Sequence, residues 1–485
     1  MRSFLRNIIF SLLLSSFCLA QSYVRSNEKP PAFPREFRGA WVACVYNIDW
    51  PSKPGLPAAT QKAELRALID RADQYKLNAI IFQVRPNADA VYRSNYEPFS
   101  HWVSGTMGKS PGYDPLEYCI NEAHKKGIEV HAWFNPFRAL PNASLPTSSN
   151  HITKTHRSLI RNFRNYKWMD PSSEFARKRA LNVMLDVARR YDVDGIHIDD
   201  YFYPYPLVNK DGTPKQIFPD GKTPAQRRYY VDSFVKQMYT SIKQVKPYLR
   251  VGISPFGIWQ PGYPRGIEAN INAYDHLAAD SRKWLVNGWC DYMSPQLYWR
   301  ISPKKQSYTN LLTWWRDQSQ RSAAKRPVWP GIATDRVMSK TDPGRPASEI
   351  LNQVNLSRKI GSNWAGHCHW SMKSLMQNRA GVTTALQKGA YVAPALVPPM
   401  TWMQAQAPAP PTISASTKNN YINIKWNRAA GASKYAIQAR YEAQWHSVEV
   451  TYGNGANIAG KPDAIAVYSV DRYGNTSAPA VMTLR

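Results

Sequence analysis

Cysteine is scarce in this 485-residue chain. Only five occur, and four of them, Cys44, Cys119, Cys290 and Cys368, lie beyond the first twenty residues. They are far apart and form no C-x-x-C pair, which argues against a thioredoxin-type redox centre and against a clustered zinc site. We therefore expect four separate buried thiols. A disulfide between two of them is allowed in an oxidising compartment but is not indicated.

Other signatures are missing as well. The sequence has no Gly-rich phosphate loop and no H-E-x-x-H motif, which argues against a dinucleotide-binding fold and a zinc protease of that type. Beyond the first twenty residues no stretch reaches the roughly 18 apolar residues that a transmembrane helix needs. We therefore expect no transmembrane segment, no metal and no cofactor.

Acidic residues are few, with 34 Asp and Glu against 62 Lys and Arg and a formal net charge of +28. A surface of this charge attracts polyanions. The basic residues are dispersed and form no run of five or more, which weakens a nucleic-acid interpretation. We predict no nucleic-acid partner, and an anionic cell-envelope polymer is the simpler expectation.

The amino terminus is typical of a secretory signal peptide over residues 1–20. Two arginines precede the apolar run NIIFSLLLSSF, and Cys18–Ala20 provides small residues at a cleavage site. Cleavage after Ala20 predicts an exported protein that is periplasmic, outer-membrane-associated or extracellular. A lipoprotein anchored through Cys18 is the alternative, which the bulky Phe17 disfavours.

Eight short apolar runs alternate with helical stretches between residues 36 and 392. Strands that alternate with helices pair in parallel, and eight such units predict a closed (β/α)8 TIM barrel. An open doubly wound sheet is the alternative, but it usually carries the Gly-rich loop that this chain lacks. The predicted strands cover residues 37–45, 78–84, 128–134, 194–200, 249–257, 291–299, 328–334 and 365–371. Helices are predicted at residues 60–76, 115–126, 172–191 and 228–246.

The composition of the chain changes after the predicted barrel. Residues 393–411 are rich in proline and alanine, which is typical of a semi-rigid linker. Short alternating strands follow in residues 412–485 and predict a small all-β sandwich. This module resembles a fibronectin type III domain of the kind appended to secreted glycosidases.

Alternation along a strand separates side chains that face the helices from those that face the barrel axis. In the fourth strand Ile196 and Ile198 face outward, so His197 and Asp199 face the axis. Catalytic groups of TIM barrels come from the carboxyl ends of the strands, and amides, arginines and aromatic rings are suited to sugars. The same test places an inward set on the second, third and sixth strands, namely Gln83, Arg85, His131, Trp133, Asn135, Tyr292, Ser294, Gln296 and Tyr298.

Six blocks of the sequence resemble one protein family. They are FRGAWVACVYNIDWPS, HAWFNPFRA, DGIHIDDYFYP, GISPFGIW, ADSRKWLVNGWCDYMSPQLYW and WPGIAT, in this order between residues 36 and 390. In these blocks the chain is similar to the bacterial glycosyl-hydrolase-10-like domain family. The resemblance implies a (β/α)8 glycoside hydrolase fold and an association with the glycan strands of peptidoglycan. It also implies a site that contains Asp199, Asp200, Asn135, Arg138, Gln296, Tyr298 and Trp299.

Glycoside hydrolysis normally needs two carboxyl groups, one of them with a raised pKa so that it can protonate the leaving oxygen. We assign Asp199 as the nucleophile or base and Asp200 as the preferred acid, since converging carboxyls raise one pKa by repulsion. Asp49, after the first strand, is the reserve, and Asp335 follows the seventh. The predicted substrate-binding residues are Arg85, His131, Asn135, Arg138, Tyr201, Tyr203, Trp259, Gln296, Tyr298, Trp299 and Trp370.

The sequence thus predicts a secreted glycoside hydrolase that cleaves a cell-envelope glycan, with peptidoglycan as the preferred substrate. Two other classes stay open. One is a non-catalytic glycan-binding protein on a degenerate barrel. The other is a metal-dependent polysaccharide deacetylase that would use His367 and His369 with Asp199 or His131, although their spacing does not favour a metal site.

Overall fold

The computed structural model describes residues 22–418 and 420–485. The predicted signal peptide, residues 1–20 with cleavage after Ala20, lies outside the described residues. Within the described ranges no helix combines the length and the apolar character needed to cross a membrane.

Eight parallel strands form one continuous sheet. Parallel bridges between Met293 and Val328 and between Gln296 and Gly331 join its two edges, the sixth and seventh strands, so the sheet closes. This confirms the predicted (β/α)8 barrel and excludes the open doubly wound sheet. The barrel strands are Phe37–Val42, Ala79–Arg85, Glu129–Phe134, Gly195–Ile198, Arg250–Ile253, Tyr292–Met293, Gly331–Ile332 and Gly366–His369.

A helix follows each barrel strand, and several helices begin where the sequence provides a cap. The side chains of Asp114, Ser173 and Thr223 each accept a hydrogen bond from a backbone N–H in the first turn of the helix that follows, which satisfies one orphan donor there. The main helices are Ala58–Gln74, Pro115–Lys125, Glu174–Arg190, Pro224–Val245, Ser281–Val286, Tyr308–Gln320, Ala347–Gly361 and Val382–Lys388. Further short helices are His101–Ser104, Ile152–Thr155, Ala273–His276 and Met372–Gln377.

The connection after the third barrel strand contains a small antiparallel sheet that the sequence pattern did not predict. Its strands are Arg138–Leu140, Ile160–Phe163 and Tyr166–Met169. Runs of three or four residues are too short to show a period of two. The sheet begins at Arg138 and so fixes that residue beside the carboxyl ends of the barrel strands, which we call the top of the barrel.

The C-terminal part of the chain is all-β, as predicted. A three-stranded sheet, Ile413–Lys418, Tyr421–Trp426 and Gly455–Ala459, lies against a five-stranded sheet. The larger sheet contains Lys434–Tyr441, Gln444–Thr451, Ala464–Val470 and Ala480–Leu484, and its fifth strand is Tyr23–Ser26 from the start of the described chain. We call these two sheets, with that N-terminal strand, the β domain; its likeness to fibronectin type III stays a prediction.

The β domain packs against the bottom of the barrel, where the strands begin. Lys434 forms a buried ion pair with Glu129 at 2.8 Å, and Arg472 pairs with Asp194 at 2.9 Å. The contact is close at Gly127, because a Cβ there would stand 2.3 Å from the carbonyl oxygen of Val450.

The first part of the Pro/Ala-rich segment lies in the same contact. Leu396 and Val397 are buried, and the carbonyl of Pro398 accepts a hydrogen bond of 3.0 Å from Arg250 at the start of the fifth barrel strand. Residues 393–400 therefore pack between the barrel and the β domain. The domain boundaries at 392/393 and 411/412 stay predictions.

All four cysteines of the described chain are buried and free, as predicted. Burial raises the pKa of each thiol, since the thiolate is poorly solvated inside the protein. Within the described residues the cysteines therefore contribute apolar packing.

Candidate active site

A cavity of about 390 Å³ opens at the top of the barrel. This is the end of the barrel at which TIM-barrel enzymes carry their active sites. Half of its lining belongs to the predicted site, namely Asp199, Asp200, Tyr201, Gln296, Tyr298, Trp299 and Trp370. The other half consists of Trp41, Trp133, Tyr205, Ser254, Phe256, Asp335 and Arg336.

Two adjacent carboxyl groups, those of Asp199 and Asp200, line this cavity directly after the fourth strand. They are 4% and 5% exposed, so both are largely removed from solvent. Ile196 and Ile198 belong to the hydrophobic layer between the strands and the helices, as alternation predicts. This register directs Asp199 toward the barrel axis, and the end of the strand at Ile198 leaves Asp200 free to reach the same cavity.

Asp199 is held by N–H donors. The indole of Trp133 and the backbone N–H of Tyr201 each donate to it at 3.2 Å, and the amide of Asn135 donates to the same oxygen as Trp133. Asp200 has a different partner, because the hydroxyl of Tyr205 donates to it. An indole or backbone N–H only donates, whereas a phenol also accepts. The donors therefore favour the ionised form of both groups, and the hydroxyl of Tyr205 can also accept from a protonated Asp200.

Asn135 and Arg138 support the carboxyl pair from one side. The Asn135 side-chain oxygen accepts hydrogen bonds from Gln83 at 2.6 Å and from Arg138 at 2.9 Å. Because its oxygen is occupied in this way, the amide nitrogen is directed toward Asp199. The Arg138 guanidinium also lies over the ring of Tyr201, 4.8 Å from its centroid, and so packs beside the cavity wall.

Burial and the charge of Asp200 raise the pKa of Asp199 to about 7, although Arg138 acts in the opposite direction. Burial also raises the pKa of Asp200. Two neighbouring carboxylates in a site of low dielectric repel each other, so the pair retains one proton near neutral pH. Because the two carboxyl groups are coupled, the pKa of about 7 belongs to the pair, and the proton is shared between them.

Aromatic rings form much of the remaining wall. Trp370 lies 6.1 Å, between ring centroids, from both Trp41 and Trp133. On the other side, Trp299 meets Phe256 edge to face at 5.7 Å. Flat apolar surfaces of this kind stack on sugar faces, while the carboxyls and amides between them bind hydroxyls.

A third carboxyl group, that of Asp335, lines the cavity from the loop after the seventh strand. One of its side-chain oxygens is buried and has no hydrogen-bond partner in the described part of the chain. Burial raises the pKa of Asp335, against the lowering effect of Arg336 and other nearby arginines. Asp335 thus adds a third buried acidic group to the cavity wall.

The structure does not bring Asp49 into the cavity. Its oxygens accept hydrogen bonds from the backbone of Ala43 at 2.9 Å, the hydroxyl of Ser371 at 2.6 Å and the backbone of Lys373 at 2.7 Å. It thereby ties the loop after the first strand to the loop after the eighth. These contacts are structural and occupy both oxygens, so we do not assign Asp49 to the chemistry.

Six of the predicted binding residues lie outside the cavity lining. Arg85 forms a buried ion pair of 2.6 Å with Glu97, and His131 lies deeper in the barrel. Tyr203 is buried and hydrogen-bonded to Asp220. Asn135 and Arg138 do not line the cavity either, but they support Asp199 as described above.

Trp259, the sixth of these residues, belongs to an aromatic cluster beside the barrel. Its ring stacks on Trp314 at 5.9 Å, and its indole N–H donates to Asp280. This is a packing arrangement, and Trp259 does not reach the carboxyl pair.

Some of the residues that the sequence-based set omitted carried a signal. Trp41 lies on the first strand, where alternation places it inward with Phe37 and Gly39. Ser254 lies directly after the fifth strand. Trp133 was recognised as inward but was not assigned to the site. Tyr205 and Arg336 come from loops, whose irregular course has no period from which their direction could be predicted.

Comparison with known proteins gives a family and a fold. The family model described as glycosyl hydrolase-like 10 matches residues 36–344. Glycosyl hydrolase YngK of Bacillus subtilis (strain 168) is 35% identical over 437 residues, which cover 86% of this chain and 83% of that protein. Glycosyl hydrolase DigH of Escherichia coli (strain K12) is 32% identical over 372 residues, 69% of this chain and 84% of that protein. The catalytic domain of a β-amylase from Paenibacillus polymyxa matches the fold alone, with a TM-score of 0.51 and 8% identity over 74% of this chain and 99% of that domain.

Proposed function

The chain belongs to the glycosyl hydrolase-like 10 family, and we propose that it is an exported glycoside hydrolase that cleaves a cell-envelope glycan, namely the glycan strands of peptidoglycan. The observation that carries this proposal is the buried pair Asp199 and Asp200 in an aromatic cavity at the top of the barrel. Paired carboxyl groups are what glycoside hydrolysis requires, and their unequal hydrogen-bond partners suit them to different roles.

In the proposed reaction Asp200 gives its proton to the glycosidic oxygen as the bond to the anomeric carbon breaks. Asp199 provides the negative charge, either by attacking that carbon or by taking a proton from the water that attacks it. Tyr205 remains hydrogen-bonded to Asp200 on both sides of the transfer, because its hydroxyl can accept from the acid and donate to the carboxylate. The products are a new reducing end and a free hydroxyl group on the other fragment.

The cavity wall supports a sugar substrate. The rings of Trp41, Trp133, Trp299 and Trp370 offer flat apolar surfaces, and the carboxyl group of Asp335 adds a polar group to the same wall. The net charge of +28 supports a location near anionic envelope polymers, and the predicted signal peptide supports export to it.

Product analysis tests the proposal. The protein without residues 1–20 is incubated with intact peptidoglycan, peptide-free peptidoglycan glycan, chitin oligomers and xylan, and the products are analysed by mass spectrometry. We expect new reducing ends from peptidoglycan glycan and no cleavage of xylan. Asp199→Asn should abolish the products, whereas Asp211→Asn, which removes an exposed carboxylate in the loop after the same strand, should retain them.

The two other classes of function give different results. A glycan-binding protein would retain peptidoglycan glycan on a column and release no reducing ends. A deacetylase would release acetate without shortening the glycan, and a chelator would stop it. Either result would contradict the proposed hydrolase.

A further inference from the structure

A line of hydrogen-bonded side chains runs along the barrel axis below the cavity. At its upper end the hydroxyl of Ser254, which borders the cavity, lies 2.8 Å from Nε2 of His197. Nδ1 of His197 lies 2.9 Å from the hydroxyl of Tyr292, and this hydroxyl lies 2.8 Å from Nδ1 of His131. All four side chains are buried, so solvent does not compete for these contacts.

The lower end of the line reaches the β domain. Nε2 of His131 lies 3.3 Å from one oxygen of Glu129, and the other oxygen lies 2.8 Å from the ammonium group of Lys434. Glu129 begins the third barrel strand, and Lys434 begins a strand of the β domain. A single series of buried hydrogen bonds therefore connects the contact between the domains with the bottom of the cavity.

The sequence provides room for this line. A Cβ on Gly252 would stand 2.0 Å from the ring of Tyr292, and a Cβ on Gly195 would stand 2.8 Å from the ring of His131. TIM-barrel interiors are usually filled by branched apolar side chains, and buried imidazole and phenol groups destabilise a fold unless they are paired. Here glycines replace such fillers, and every ring nitrogen in the line has a partner.

The lower end fixes the direction of the hydrogen bonds. Burial alone would raise the pKa of Glu129, but Lys434 and Arg250 outweigh it and hold that pKa well below its usual range. A carboxylate only accepts, so His131 donates from Nε2, and when Nε2 carries the single ring proton its Nδ1 accepts from the hydroxyl of Tyr292. The oxygen of Tyr292 is then left to accept from Nδ1 of the next histidine, His197.

The upper end requires the same direction. The indole N–H of Trp41, which can only donate, points at Nε2 of His197 at 3.5 Å. Burial lowers the pKa of His197 well below its usual value, so the ring is neutral and carries its proton on Nδ1. Nε2 of His197 therefore also accepts the hydroxyl proton of Ser254. The oxygen lone pairs of Ser254 are then available to the cavity.

We propose that the Lys434–Glu129 ion pair positions Ser254 as a hydrogen-bond acceptor for a hydroxyl or amide N–H of the bound glycan, through the tautomers of His131 and His197. The role of the glycan rests on the proposed function, whereas the tautomers of His131 and His197 are independent of it. Lys434 and Glu129 are positioning residues, since neither touches the cavity. The β domain thereby contributes to the catalytic site from the opposite end of the barrel.

Glu129→Gln is the sharpest perturbation. The ammonium group of Lys434, at 2.8 Å, is a closer donor than Arg250, at 3.5 Å, so the amide oxygen turns to Lys434 and the amide N–H₂ group faces Nε2 of His131. Nε2 of His131 must then accept, so the proton of His131 lies on Nδ1. Each hydrogen bond along the line reverses its direction in turn, and the hydroxyl proton of Ser254 then points into the cavity. Arg472→Met is the matched control, because it removes an ion pair of the same domain contact that is not part of the line.

Nitrogen-15 NMR reports the histidine tautomers in the absence of substrate. The sample is the protein without residues 1–20, with nitrogen-15 in its histidines. We expect the proton of His197 on Nδ1 in the wild type and in Arg472→Met, and on Nε2 in Glu129→Gln. Lys434→Met should show a mixture of both forms, and Lys434→Arg should restore the wild-type form. Unchanged tautomers in Glu129→Gln would overturn the inference, whether or not the protein cleaves glycan.

Kinetics on the cleaved glycan then test the effect on the cavity. Glu129→Gln and Ser254→Ala should each raise KM about five- to tenfold, the usual worth of one neutral hydrogen bond, with little change in kcat. The double variant should be no worse than Ser254→Ala alone, and Arg472→Met should keep the wild-type KM. Additive effects in the double variant would show that Glu129 acts by another route and would contradict the proposal. If the wild type cleaves no glycan, the proposed function fails, and the NMR result decides the tautomer line by itself.

Discussion

Asp199→Asn should change how the stability of the protein depends on pH, in addition to abolishing catalysis. Burial and the charge of Asp200 raise the pKa of Asp199 from 3.8 to about 7. A carboxyl group whose pKa is raised on folding contributes stability at low pH, below the pKa of the unfolded chain, and loses it as pH rises through the folded value. The wild type should therefore become less stable between pH 4 and pH 7 because of this group.

The magnitude follows from the size of the shift. A shift of about 3 pKa units corresponds to ~4 kcal/mol over the full interval, and the part between pH 5 and pH 7 corresponds to ~3 kcal/mol. Asparagine has no charge to bury, so this loss should disappear in the variant. The amide misfits the three N–H donors around Asp199, which costs about 1–3 kcal/mol at every pH and cancels when two pH values are compared.

The assay is urea unfolding of the wild type and Asp199→Asn at pH 5 and pH 8, followed by tryptophan fluorescence of the barrel. The variant should gain ~3 kcal/mol relative to the wild type between the two pH values. Asp211→Asn, at an exposed site, should follow the wild-type profile and serves as the control. Parallel profiles for the wild type and Asp199→Asn would refute the buried, repelled carboxyl pair.

Three further predictions concern activity and binding. Asp200→Asn should be nearly inactive on natural glycan but should recover its first step on an activated aryl glycoside, because that leaving group needs no proton; recovery in Asp199→Asn instead would reverse the two roles. Asp335→Asn should raise KM about fivefold and leave kcat within about twofold, since an amide keeps the shape but weakens the acceptor for a sugar hydroxyl; a loss confined to kcat would place Asp335 in the chemistry. Pull-down on cell-wall material should weaken as salt rises above physiological strength, because charges more than about 8 Å apart are then largely screened from each other. Binding that does not depend on salt would show that net charge is not its cause.

The barrel could be predicted because its strands are short apolar runs with helices between them. The same pattern gave the direction of Asp199, since strand alternation continues into the residue after Ile198. The family resemblance placed Asn135 and Arg138 near the carboxyls, and the structure gives them a supporting role. In each case the informative feature is local in the sequence.

The rest depended on contacts between distant residues. Asp49 follows a barrel strand as a catalytic acid would, but Ser371 and Lys373, more than 300 residues later, occupy its oxygens. Alternation predicts Arg85 inward, but a register shift after Gln83 pairs it with the outward-facing Phe134, and its guanidinium binds Glu97 instead. Tyr205 and Arg336 reach the cavity from loops, and no period in the sequence reports the course of a loop.

The most direct test of the central claim is hydrolysis of peptidoglycan glycan in water enriched in oxygen-18, with mass analysis of the fragments. We predict that the wild type releases fragments with one oxygen-18 atom at each new reducing end, because hydrolysis adds one water across each bond. Asp199→Asn and Asp200→Asn should release none, while Asp211→Asn should match the wild type. Labelled fragments at the wild-type rate from Asp199→Asn, or none from the wild type, would contradict the assignment of this cavity as a glycosidase site.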